Sequence, residues 1–233
     1  MLRLVILVII MFISTFPTIA TPSFVPGEVV PERFITADNL NDFFKCMEIP
    51  DEVFQLMQGR SFKADCVVPR SELRYIKVLH KNLQGESIVG EMVIHQSIAM
   101  DALSILKELY QASYPIERMR LIDYYEADDE RSMRANNSSG FNFRFISHTT
   151  TVSVHGWGKA VDINPLYNPY HKVLKNGREV IEPANAATYL KRDKDFPYKI
   201  TKDDLCCRLF KQHGFEWGGD WTTCKDYQHF EKP

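Results

Sequence analysis

Apolar residues at Ile98, Leu103, Leu106, Leu109 and Tyr110 share one face at helical spacing. The pattern predicts an amphipathic helix over 98–110 that stops before Pro115. A shorter helical pattern runs from Ile35 to about Arg74, with Leu40, Phe43, Phe44 and Met47 on one side. Another helix is expected over 201–213, with Thr201 as N-cap and Gly214 as stop. Strand-like runs are Gly90–His95, Arg118–Tyr125, Ala160–Ile163, Phe215–Trp217 and Tyr227–Phe230. Between them, residues 128–140 read as a polar surface loop and 164–195 as a long excursion of loops, a feature often tied to function. The sum is an α+β domain.

The start of the chain has its own pattern. Met1-Leu2-Arg3 precedes an unbroken apolar run from Leu4 to Ile13, and Thr18-Ile19-Ala20 offers a small-residue cleavage site. This describes a secretory signal peptide over residues 1–20. The run is shorter than the roughly 20 residues of a spanning helix, so no membrane span is expected after cleavage. Three prolines within 21–31 make an extended linker after the cut.

Composition narrows the field without naming a function. The chain has 233 residues, 45% hydrophobic and 25% charged, with a net charge of −2. Disorder and nucleic-acid binding are disfavoured by these proportions, and a monomer is expected. Five cysteines are too few for a disulfide scaffold at this length. In an oxidising compartment Cys46, Cys66, Cys206, Cys207 and Cys224 could pair, while the adjacent Cys206 and Cys207 also read as core. None has C-x-x-C spacing, which disfavours a cysteine zinc site. Overlapping N-x-S sequons begin at Asn136 and Asn137.

Five histidines, His80, His95, His148, His171 and His213, read as surface or satisfied core residues. Two others keep unusual company. Ser153-Val154-His155-Gly156-Trp157-Gly158-Lys159-Ala160-Val161-Asp162 sets a histidine on a glycine-rich turn and a carboxylate on the strand that follows. Imidazole and carboxylate together suit zinc, at roughly 2.0–2.2 Å from the metal. Asp226-Tyr227-Gln228-His229-Phe230-Glu231 supplies a third ligand in His229. A fourth position is then left for water, whose pKa zinc lowers to about 7. Asp226, three residues earlier, is placed to take the water proton and pass it to the leaving amine.

H-x-x-G-x-A-x-D followed by W-G-G-D-W and D-x-x-H-F resembles the zinc D-alanyl-D-alanine carboxypeptidase / L-alanyl-D-glutamate endopeptidase family, the VanY-like LAS peptidases. The likeness runs from about Gly90 to Glu231. It implies a small antiparallel sheet flanked by helices, a fold shared with the hedgehog signalling domain. It also implies one zinc ion on His155, Asp162 and His229, with Asp226 as acid/base and Ser153 as a substrate contact. That family uses an arginine to hold the oxyanion, but its usual Y-R-S signature is absent after Tyr125. The loop that follows favours Arg144, with Arg134 and Arg131 as competitors.

Trp217-Gly218-Gly219-Asp220-Trp221 reads first as a tight turn between core aromatics, and second as a source of Asp220 to hold a ligating histidine. The expected layout is a signal peptide (1–20), a linker and N-terminal helical extension (21–74) and a zinc peptidase domain (75–233). The leading expectation is an exported peptidase cutting stem or cross-link peptides of peptidoglycan. The alternative is a non-catalytic zinc module of the same fold that binds cell wall or a protein partner.

Overall fold

A computed structural model describes residues 22–146 and 149–232. The expected signal peptide and His148 lie outside the described residues. Its centre is a four-stranded antiparallel sheet in the order β1-β4-β3-β2. The strands are β1 (Val29–Val30), β2 (Lys45–Met47), β3 (Leu73–Lys81) and β4 (Ser87–His95). Strand β3 carries apolar residues on both faces and is paired with β4 along its full nine residues. The two edge strands come from the segment expected to hold linker and helices. Helix there is confined to α1 (Asp51–Met57) and short 3-10 turns.

Helix α2 (Gln96–Gln111) follows β4 directly and lays Ile98, Ala102, Ile105, Leu106 and Leu109 on the sheet. It extends the expected helix at its start, because the His95 side chain accepts the Ser97 N–H and caps it. The other sheet face packs Leu73, Tyr75 and Val93 against Ile49, Met57, Phe141 and Phe143.

The strand expected over 118–125 is real only at β5 (Arg118–Met119), which pairs in parallel with β6 (Asn137–Ser138). Residues Ile122–Tyr125 instead form a 3-10 turn, because buried Asp123 accepts the Ser61 N–H at 3.0 Å and draws the chain away. The loop expected over 128–140 contains helix α3 (Asp129–Arg134) and β6. Asn136 and Asn137 are buried there, hydrogen-bonded to Glu117 and to the Arg120 carbonyl, so both sequons are structural.

A second sheet, in the order β10-β12-β7, uses β7 (Ala160–Asp162), β10 (Glu216–Trp217) and β12 (His229–Glu231). A third, β11-β8-β9, uses β8 (Tyr170–Val173), β9 (Glu179–Glu182) and β11 (Lys225–Asp226). The long excursion after Asn164 is therefore built on a hairpin. Helix α4 (Leu205–Gln212) is capped by Asp204, not Thr201, since the Asp204 carboxylate accepts the Cys206 N–H at 2.8 Å. Phe210 of α4 stacks on Phe230 of β12 at 4.2 Å, which ties the second sheet to the main core. All five cysteines are free thiols, and Cys206 and Cys207 are core. The whole is an α+β fold. Among the described residues, no helix is long and apolar enough to cross a membrane.

Candidate active site

Strands β7 and β12 pair so that Asp162 stands directly opposite His229. Opposed residues of an antiparallel pair share a face, so carboxylate and imidazole meet. His155 reaches them from a 3-10 turn, His155–Trp157, just before β7. The Ser153 hydroxyl accepts the Gly156 N–H at 3.0 Å and shapes the entry to that turn. Gly158 ends it at φ +69°, where an added Cβ would lie 2.9 Å from the His95 nitrogen.

The other ring nitrogens are committed. His155 Nδ1 donates to the Gly140 carbonyl at 2.7 Å, and His229 Nε2 donates to the Glu231 carboxylate at 3.0 Å. His155 Nε2, His229 Nδ1 and the Asp162 carboxylate are thus left facing one another. Their separations are 3.1 Å between the rings, 3.2 Å from Asp162 to His155 and 3.1 Å from Asp162 to His229. A tetrahedral zinc with bonds of 2.0–2.2 Å needs ligand edges of about 3.3–3.6 Å, so the triangle is close to the required size. Both histidines are only 6% exposed.

The electrostatics point the same way. Burial works against charge on His229, yet its bonds to Asp162 and Glu231 raise its pKa to about 10. Burial also works against the Asp162 carboxylate, but His155 and His229 pull it well below the usual carboxylate range. Three ligand atoms this close require a positive charge among them, which a proton or a metal ion can supply.

A cleft of about 230 Å³ opens beside the triangle, and Asp162, Asp226, Gln228 and Arg144 line it. Asp226 sits on β11 opposite Tyr170, one bend before β12. Burial, aided by the charge of Asp162 and opposed by His229, pushes its pKa up to about 7. Arg144 is ion-paired with Asp129. Its competitors lie outside the cleft lining: Arg134 pairs with Glu130 at 2.7 Å, and Arg131 is exposed. Ser153 is also absent from the lining and is occupied with the His155 turn.

Asp220 does not hold a ligating histidine; it is exposed and pairs with Lys211 at 2.6 Å. Glu231 and the Gly140 carbonyl fill that role instead. The signal for Glu231 was its position two residues after His229 on a strand, which puts both side chains on one face. The W-G-G-D-W turn has a different task. Gly218 packs on the backbone of Asp226, and Trp217 Nε1 donates to the Tyr227 carbonyl at 3.0 Å.

The comparison with known families bears on this same stretch. Residues 147–232 match the D-alanyl-D-alanine carboxypeptidase family. The match holds His155, Asp162, Asp226 and His229, and it supports the family to which the motifs point. No curated protein and no solved structure matches the chain. Residues before 147 supply the main sheet, α2 and Arg144, while the matched segment supplies the His155–Asp162–His229 triangle and Asp226.

Proposed function

We propose that the protein is an exported, zinc-dependent peptidase that hydrolyses peptide bonds in the stem or cross-link peptides of peptidoglycan. One observation carries the reading. Three ligand atoms at zinc-like spacing share a cleft with a carboxylate at an elevated pKa and an arginine, in a segment matching a peptidase family.

When bound at the triangle, zinc supplies Lewis acidity and a water whose pKa falls to about 7. Asp226 faces the same cleft and does not belong to the triangle. Its carboxylate takes the proton of the attacking water and returns it to the leaving nitrogen. Burial raises its proton affinity above that of an ordinary carboxylate, which favours taking the proton up. The Arg144 guanidinium, held by Asp129, faces the carbonyl oxygen as negative charge develops there. His155 and His229 keep their orientation through Gly140 and Glu231.

The test is incubation of purified muropeptides with zinc-loaded protein, with the products read by mass spectrometry. A defined mass loss at one peptide bond is expected, and Asp226→Ala should abolish it while zinc stays bound. Zinc binding with no cleavage of any muropeptide would overturn the peptidase reading in favour of a non-catalytic module.

A further inference from the structure

The cleft beside the metal triangle is rich in acceptors. Its lining includes the carboxylates of Asp129, Glu130, Asp162, Glu182 and Asp226 against the single guanidinium of Arg144. Four of those carboxylates are already engaged. Asp162 belongs to the triangle, Asp129 pairs with Arg144, Glu130 pairs with Arg134, and Asp226 accepts from the Gln228 amide at 3.2 Å. Among the described residues, Glu182 alone of the five has neither an ion pair nor a side-chain hydrogen bond. A second, independent feature has the same polarity. Gln228 is 2% exposed, lines the cleft, and its Oε1 has no hydrogen-bond donor. Leaving a buried acceptor unmatched is costly, and the one guanidinium of the lining is already paired with Asp129.

Register fixes where Glu182 stands. Asp226 of β11 is opposite Tyr170 of β8, and Tyr170 is opposite Glu182 of β9. Directly opposed residues share a face, so Asp226, Tyr170 and Glu182 form one row across the sheet. Two strand spacings put Glu182 about 10 Å from Asp226, about three residues of extended chain.

We infer that Glu182 is a specificity-determining residue that takes a substrate ammonium group, so that the preferred peptide carries a primary amine within about three residues of the scissile bond. This rests on the peptidase reading for the identity of the substrate, though not for the binding itself. A diamino-acid residue in a stem peptide has the required chemistry. The anionic wall also disfavours a substrate carboxylate at that end of the cleft.

The probe is a lysine-containing peptidoglycan stem peptide, compared with the same peptide Nε-acetylated on lysine. Binding to the zinc-loaded Asp226→Asn variant is measured by calorimetry, and hydrolysis by the zinc-loaded wild type is measured alongside. Acetylation should weaken binding about tenfold at low salt and less at high salt. Adding Glu182→Gln should remove the difference between the two peptides. Equal affinities for both, no binding of either, or a lysine preference that survives Glu182→Gln would overturn the inference. Preferential binding without hydrolysis would uphold it and sink the peptidase reading. Hydrolysis of both peptides at one rate would do the reverse.

Discussion

Gly218 lies so close to Asp226 that a Cβ built on it would stand 2.6 Å from the Asp226 carbonyl oxygen and 2.8 Å from its Cβ. Any side chain there must push β11 away. Gly218→Ala should therefore lower turnover at least about tenfold, because small displacements of a reacting group are costly. Trp221 at the end of this turn packs on the His229 ring at 5.3 Å, but Gly218 itself contacts Asp226 and none of the three ligands, so zinc content by elemental analysis should stay at the wild-type level. Unchanged turnover would show that the contact does not set the position of Asp226.

Glu231 holds the far nitrogen of His229 at 3.0 Å. Its charge makes the ligating nitrogen a better donor and fixes the ring. Glu231→Gln should weaken zinc about 10–100-fold in a chelator competition, the usual effect of losing such a partner. An unaltered affinity would mean that the β-sheet alone orients the ring.

Arg144 is held in the cleft by Asp129, which also accepts from Asn142 at 2.9 Å. Arg144→Ala should cost about 10²–10³ in kcat, the scale of a lost oxyanion partner. Asp129→Asn should cost less, because the guanidinium remains and only its tether is lost. Both variants should keep their zinc. If the Asp129 variant were the worse of the two, the carboxylate rather than the arginine would face the reaction.

His80 gives a pH dependence away from the site. It is buried, its Nδ1 donates to the Ile116 carbonyl at 2.7 Å, and burial lowers its pKa to about 4. The fold thus holds it neutral, whereas the unfolded chain takes a proton near pH 6.5. Its contribution is intact above that value and is lost as pH falls toward 4, by about 3 kcal/mol in all. Urea midpoints should drop across this window. His80→Asn, although less stable throughout, should show a flatter profile between pH 6.5 and 4. An equally steep profile in that variant would assign the acid sensitivity to other groups.

The sequence shows the site more plainly than the frame around it. His155, Asp162 and His229 are legible because a glycine turn and two short strands need few residues to bring them together. Helix α2 is legible from its apolar stripe, but its cap is a histidine, which ordinary capping preferences do not suggest. Strand β3 escapes notice because both its faces are buried and no alternation marks it. The false strand over 122–125 has apolar residues in the right places, and only the distant Ser61 N–H explains why it turns. Asp220 and Glu231 teach the same lesson at the site itself. One lies in a conspicuous motif and faces Lys211, while the other sits unremarked beside His229. Glu182 joins the cleft only through the register of a hairpin, which local sequence does not reveal.

Strand β12 is the middle strand of its sheet, flanked by β10 and β7. Its position carries a consequence for how the protein comes into being. A growing chain that has reached Lys225 holds His155 and Asp162 but lacks His229, the third proposed ligand, and Asp226, the proposed proton carrier. Completion of the centre is thus the same event as insertion of one strand between two others. On the peptidase reading, hydrolysis therefore waits for that insertion, and a chain that ends before Asp226 has none.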